Sequence, residues 1–194
     1  MQLPLDVLLP LVERPREALV FAPAVEGLFT RGLRGRLTPQ LLSRLRAVGL
    51  DLEKPLLPAY SFACWIDACG IAAEEIFPDL EAPTAWHQLG RLLVTGYRET
   101  LLGRALLNLM KVIGPRRTLQ RTRHNFSTSS NYIEAELTEL SPTHFTLRIN
   151  EVGPRPEFTQ GTLAAGLEES GARSPTVEIR EHDGHAALYQ IRWS

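Results

Sequence analysis

The chain has 194 residues, 44% of them hydrophobic and 22% charged, with a formal net charge of −1. Those values fit one large folded domain or two small ones, with enough apolar material for a real core. They exclude global attraction to nucleic acid or to an anionic membrane surface, and no apolar run approaches the ~20 residues that span a bilayer.

The N-terminus, Met1 to Val12, lacks a basic stretch, contains Asp6 and is broken by Pro4 and Pro10. It does not read as a signal peptide. Residues 1–18 are expected to form a short amphipathic extension packed on a single α+β domain of residues 19–194. The first half of that domain reads helical. Val20-Phe21 is a short apolar step, and Pro23 opens a helix over Ala24 to Leu33. Thr38 is placed to cap a helix that starts at Pro39 and closes at Gly49. Phe62, Trp65, Ile66, Cys69, Ala73 and Ile76 recur at helical spacing, and Pro78 ends that helix. Thr84 to Glu99 follows, with Trp86, Leu89, Leu93 and Tyr97 facing inward. A shorter helix, Arg104 to Ile113, is expected to stop at Gly114-Pro115.

Beyond that point the period falls to two. Ile133, Ala135 and Leu137 alternate with polar residues, as do Phe145, Leu147 and Ile149 after a turn at Ser141 to His144. One greasy face and one charged face describe an antiparallel sheet with one side in water. A glycine-bearing helix runs from Phe158 through Gly161 and Gly166 to Glu169. Gly166 lies amid its apolar face, which predicts close approach of a neighbouring backbone there. Thr176 to Glu181 and Ala187 to Trp193 then pair around Asp183-Gly184. The expected fold is α+β: an N-terminal helical half packed on a C-terminal antiparallel sheet, with the glycine-bearing helix inserted between strand pairs.

Four arginines, Arg116, Arg117, Arg121 and Arg123, cluster between Lys111 and His124. Guanidinium groups suit an anion or an acidic partner if they converge, and a solvated connector if they do not. His182 and His185 flank the Asp183-Gly184 turn without making a closed metal site. His87 shares a helix face with Arg91 and Arg98 and is expected to face solvent. Cys64 and Cys69 have neither a disulfide framework nor the usual ligand spacing, so two thiols in one helix, in a reduced, cytoplasmic compartment, are expected. No catalytic residue, metal site or cofactor is expected. The aromatic residues Phe62, Trp65, Trp86 and Tyr97 are the candidates to line an apolar cavity between helices and sheet.

Leu19 to Phe29, Leu102 to Arg116, Asn131 to Glu134 and Phe158 to Trp193 together resemble a domain family of unknown function expanded as paralogues in myxobacteria. More distantly, the order of elements is similar to the ligand-binding fold of vinyl-reductase-type domains, trafficking-complex subunits and nitric-oxide sensor domains. That resemblance implies binding of small molecules, acyl chains or partner subunits. The clustered metal-ligand cysteines of the first type and the haem-contacting Tyr-x-Ser-x-Arg pattern of the sensors are both absent from this chain. The leading expectation is therefore a non-enzymatic sensory or adaptor domain that binds a small apolar ligand, a protein partner, or both. The alternatives are a dimerising interaction module without a ligand, and an enzyme acting on an anionic substrate held by the arginine cluster.

Overall fold

The computed structural model describes residues 17–194; of the extension expected over residues 1–18, residues 1–16 lie outside that range. Strand β1 (Leu19–Phe21) pairs antiparallel with β2 (Ala59–Ser61). The helix expected after Pro23 is a short α-turn, α1 (Ala22–Val25), that continues as a π-helical segment over Glu26–Gly32. This segment brings the Gly27 carbonyl against Gly96, where an added Cβ would lie 1.7 Å from the oxygen.

Helix α2 (Pro39–Ala47) starts as the sequence predicts, with the Thr38 hydroxyl accepting from the Leu41 amide. Helix α3 (Phe62–Ile76) is capped by Ser61 and buries Trp65, Ala68, Cys69, Ala72 and Ala73. Helix α4 (Ala82–Tyr97) buries Trp86, Leu89, Leu93 and Tyr97.

Helix α5 spans Leu101–Gln120 as two helical stretches, the first of which stops at Gly114-Pro115 as expected. Gly114 alone leaves helical geometry, at φ 78° and ψ 172°. Pro115 then opens a second helical stretch, because its fixed φ suits a first helical position and its missing N–H is not needed there. The arginine cluster is consequently largely helical rather than a loop, and it runs on into α6 (Thr122–Ser127). Leu101 and Val112 on α5 are 82% and 84% exposed.

The second half is a four-stranded antiparallel sheet in the order β3-β4-β6-β5, with β3 (Ala135–Ser141), β4 (His144–Ile149), β5 (Thr176–His182) and β6 (Ala187–Arg192). In the register, Leu147 faces Tyr189 and Phe145 faces Ile191. These four side chains are fully buried on one face, as the period-two pattern requires. The Asp183 carboxylate closes the β5–β6 turn by accepting from the amides of His185 and Ala186.

Helix α7 (Pro156–Glu169) lies between the two halves. Its Ala165 joins the core of the helical half, while Leu163, Ala164 and Leu167 join the core against the sheet. A helix apolar on more than one side belongs inside a structure. The close approach predicted at Gly166 occurs elsewhere on the same helix. An added Cβ at Gly161 would sit 2.0 Å from the His87 carbonyl oxygen, and one at Gly90 would sit 2.0 Å from the Phe158 carbonyl oxygen. At Gly166 the nearest atom is Met110 Cε at 3.5 Å, an ordinary contact. Two glycines on facing helices thus remove the side chains that would hold α4 and α7 apart.

Candidate functional site

Where α4, α5, α6 and α7 meet, they leave an apolar cavity of about 140 Å³, partly open to solvent. Tyr97, Leu107, Met110, Leu119, Leu163 and Leu167 form most of its wall, and Gly166 lies in it as well. The Tyr97 ring is wedged between Gly27 and Gly103, where added Cβ atoms would come within 2.9 and 2.5 Å of ring carbons. Burial pushes its phenol well above the ordinary range, so it stays neutral. The wall contains no charged side chain.

A second, smaller cavity of about 70 Å³ lies against the first. Leu93, Phe126, Ser129 and Thr162 line both. The four aromatic candidates divide between the two: Phe62, Trp65 and Trp86 surround the smaller cavity, and Tyr97 the larger. The aromatic rings around the smaller cavity pack on one another. Phe158 meets Trp65 and Trp86 edge-on, with ring centroids 5.8 and 6.4 Å apart, and Phe62 lies 4.8 Å from Tyr132. A third hollow, about 440 Å³, lies along α3 and α4 beside Phe77 and Pro78, with a mixed wall that includes Glu74 and Arg155. The apolar character that suits a ligand belongs to the first.

Sequence reasoning missed most of the larger cavity's wall. Met110 and Leu119 lie on α5 and Leu163 on α7, and nothing in their sequence spacing marks a shared wall. The signal available was the small residue Gly166 on the helix that also carries Leu163 and Leu167.

The arginines go several ways. Arg116 forks onto the Glu139 carboxylate of β3, at 2.7 Å from Nη2, and Gln120 reaches the same group. Arg117 and Arg121 are exposed. Arg123 falls on α6, and its side chain lies outside what is described. His182 and His185 do not face each other. His182 Nε2 lies 3.0 Å from the Gly153 carbonyl, and His185 Nδ1 lies 3.0 Å from Glu151. Cys69 is buried and Cys64 half-buried, and burial raises both thiols above their ordinary range, which disfavours thiolate. Among the described residues there is no cluster of three metal-ligating side chains, and no helix long and apolar enough to cross a membrane.

His87 is half-buried where α4 meets α7, not on the solvent face. Burial and then the charge of Arg91 lower its pKa, against a smaller opposing effect of Glu168. The unfolded chain therefore takes up the proton first, and stability must fall as pH drops through the ordinary histidine range near 6.5. Asp51 and Asp183, held below the carboxylate range by Lys54 and by the turn amides respectively, are shifted in the same direction but titrate at lower pH. Their contribution is lost only as pH falls below about 4. Urea titrations between about pH 7 and pH 5 should accordingly show a shallower loss of stability in His87→Gln than in the parent protein. Equal slopes would show that His87 does not carry the effect.

Residues 18–194 match the model of a protein family of unknown function, DUF2378. The chain belongs to that family. No curated protein matches this DUF2378 chain. Solved structures do share its fold. An Fe(II) unliganded H-NOX protein from K. algicida superposes with a TM-score of 0.62 at 12% identity, over 89% of this chain and 95% of that one. An H-NOX protein from S. oneidensis in the Fe(II)NO state gives 0.62 at 8%, over 89% and 98%. An oxygen-binding H-NOX domain related to soluble guanylate cyclases gives 0.54 at 15%, over 89% and 92%. The DUF2378 chain therefore has the H-NOX fold, and the distant likeness to nitric-oxide sensor domains holds at the level of architecture.

Proposed function

We propose that this DUF2378 protein is a non-enzymatic sensory domain that binds a small, mainly apolar molecule in the cavity bounded by Tyr97, Met110 and Leu163. The observation that carries the reading is that cavity itself: apolar, uncharged and lodged between α4, α5 and the helix that joins the two cores. The fold adds support, because solved H-NOX proteins that share it are described with haem, with nitric oxide and with oxygen.

Haem itself does not fit these residues. No histidine or cysteine lines either inner cavity. The buried Tyr97 phenol holds its proton and so makes a poor axial ligand. At about 140 Å³ the larger cavity also falls well short of the roughly 300–1,000 Å³ that drug-sized ligands occupy. An apolar void of about 150 Å³ is instead the size that takes benzene. The two free thiols support a reducing, cytoplasmic setting for the domain.

Titration with toluene, followed by calorimetry and by the shift in unfolding temperature, tests the reading. The parent protein should bind, and Gly166→Leu, which fills the cavity from α7, should not. Circular dichroism checks that the variant folds. No binding to the parent protein, or equal binding to the filled variant, would overturn the proposal.

A further inference from the structure

The threonine and serine hydroxyls around the larger cavity are almost all occupied. Thr122 donates to the Leu119 carbonyl at 2.5 Å, Thr128 to Asn125 at 2.8 Å, Ser129 to Phe126 at 3.0 Å and Thr162 to Phe158 at 3.0 Å. Thr118 is the exception. It lines the cavity and is only 6% exposed, yet among the described residues its hydroxyl oxygen has no hydrogen-bond partner.

A threonine within a helix commonly returns its hydroxyl to the carbonyl four residues earlier. For Thr118 that residue is Gly114, at the break between the two helical stretches of α5, and no such bond is made. Thr118's own backbone is meanwhile fixed, since its carbonyl accepts from the Arg121 amide and the Asn125 side chain. The side chain alone is left unsatisfied, in a place where burying a hydroxyl without a partner is costly. To meet a ligand, that hydroxyl must turn from its buried position toward the cavity about the Cα–Cβ bond.

We propose that Thr118 is the recognition group of the cavity, and that its ligand is a small neutral molecule with one polar atom on an apolar body, of the class of phenols, short alcohols and ketones. The inference rests on the reading of the cavity as a ligand site. Neutrality follows from the wall, which offers no charge to pair with an ion. A single polar atom matches the one threonine or serine hydroxyl of the wall that has no partner among the described residues. The size follows from the cavity volume, which suits about the bulk of a benzene ring.

Phenol and toluene, nearly identical in shape, separate the two levels of the argument. Both are titrated into the full chain as parent, Thr118→Val and Thr118→Ser. Valine keeps the shape of threonine and removes the hydroxyl; serine keeps the hydroxyl. Phenol affinity should fall about fivefold to tenfold in Thr118→Val and stay close to parental in Thr118→Ser. Toluene affinity should be nearly unchanged in Thr118→Val. If both probes bind the parent protein and Thr118→Val alters them alike or not at all, Thr118 is not the recognition group, and the apolar cavity reading survives. If neither probe binds the parent, the cavity reading fails and this inference with it. Should Thr118→Val not fold, loss of phenol binding in a folded Thr118→Ser would equally overturn the assignment.

Discussion

Replacing Gly161 by alanine is expected to destabilise the protein by about 3 kcal/mol, at the upper end of what overpacking costs. The added Cβ would lie 2.0 Å from the His87 carbonyl oxygen. That neighbour is backbone within α4, so no side-chain rotation relieves the clash, and α4 and α7 must separate along their shared length. The better helix propensity of alanine returns only about 1 kcal/mol. Gly166→Ala is the control on the same helix. Its Cβ meets Met110 Cε at an ordinary 3.5 Å, so the propensity gain stands and the variant should be neutral or slightly more stable. Urea denaturation of the two variants decides the matter. Equal stability for both would mean that α4 and α7 do not approach closely enough at Gly161 to exclude a side chain.

Phe158→Ala is expected to cost about 3 kcal/mol. Phe158 stands with its ring edge-on to both Trp65 and Trp86, and it lines the smaller cavity. Trp65 in turn meets Phe29, at 5.7 Å and nearly perpendicular. Truncation would empty the middle of this chain of rings and widen the smaller cavity, since the surrounding helices relax only partly. The tryptophan emission should shift to the red as Trp65 and Trp86 lose an apolar neighbour. A stability change below about 1 kcal/mol would show that the rings close over the gap.

Some of this was legible in the residues, and the reasons are local. Thr38 before Pro39, Asp183-Gly184 between two alternating runs, and Phe145, Leu147 and Ile149 each carry their meaning within a few positions. Gly114-Pro115 marks the end of one helix and hides the start of the next for an equally local cause. The same pair that ends a helix can break one and begin the next, and only the backbone after Pro115 decides between them. The glycine of closest approach was beyond a helical wheel. The wheel places Gly161 and Gly166 by angle, but the distance to His87 or Met110 depends on how α4 and α5 cross α7. The larger cavity was least visible of all. Its wall is assembled from Tyr97, Met110, Leu119 and Leu163 on four stretches of chain, and a void is a property of how those fail to meet. The unsatisfied hydroxyl of Thr118 is likewise a property of its packed surroundings.

Helix α7 contributes side chains to both cores. Each core therefore loses a wall if the other comes apart. Melting the sheet would strip cover from Leu163 and Leu167, and melting the helical half would expose Ala165 and the bare backbone around Gly161. Neither half retains a complete core without the shared helix, so partly unfolded states with one half intact carry a penalty from exposed apolar surface. The two halves are thereby tied into one unfolding event. Trp65 and Trp86 report on one side of that event, and Trp193, stacked on Phe145 at 5.4 Å, reports on the other.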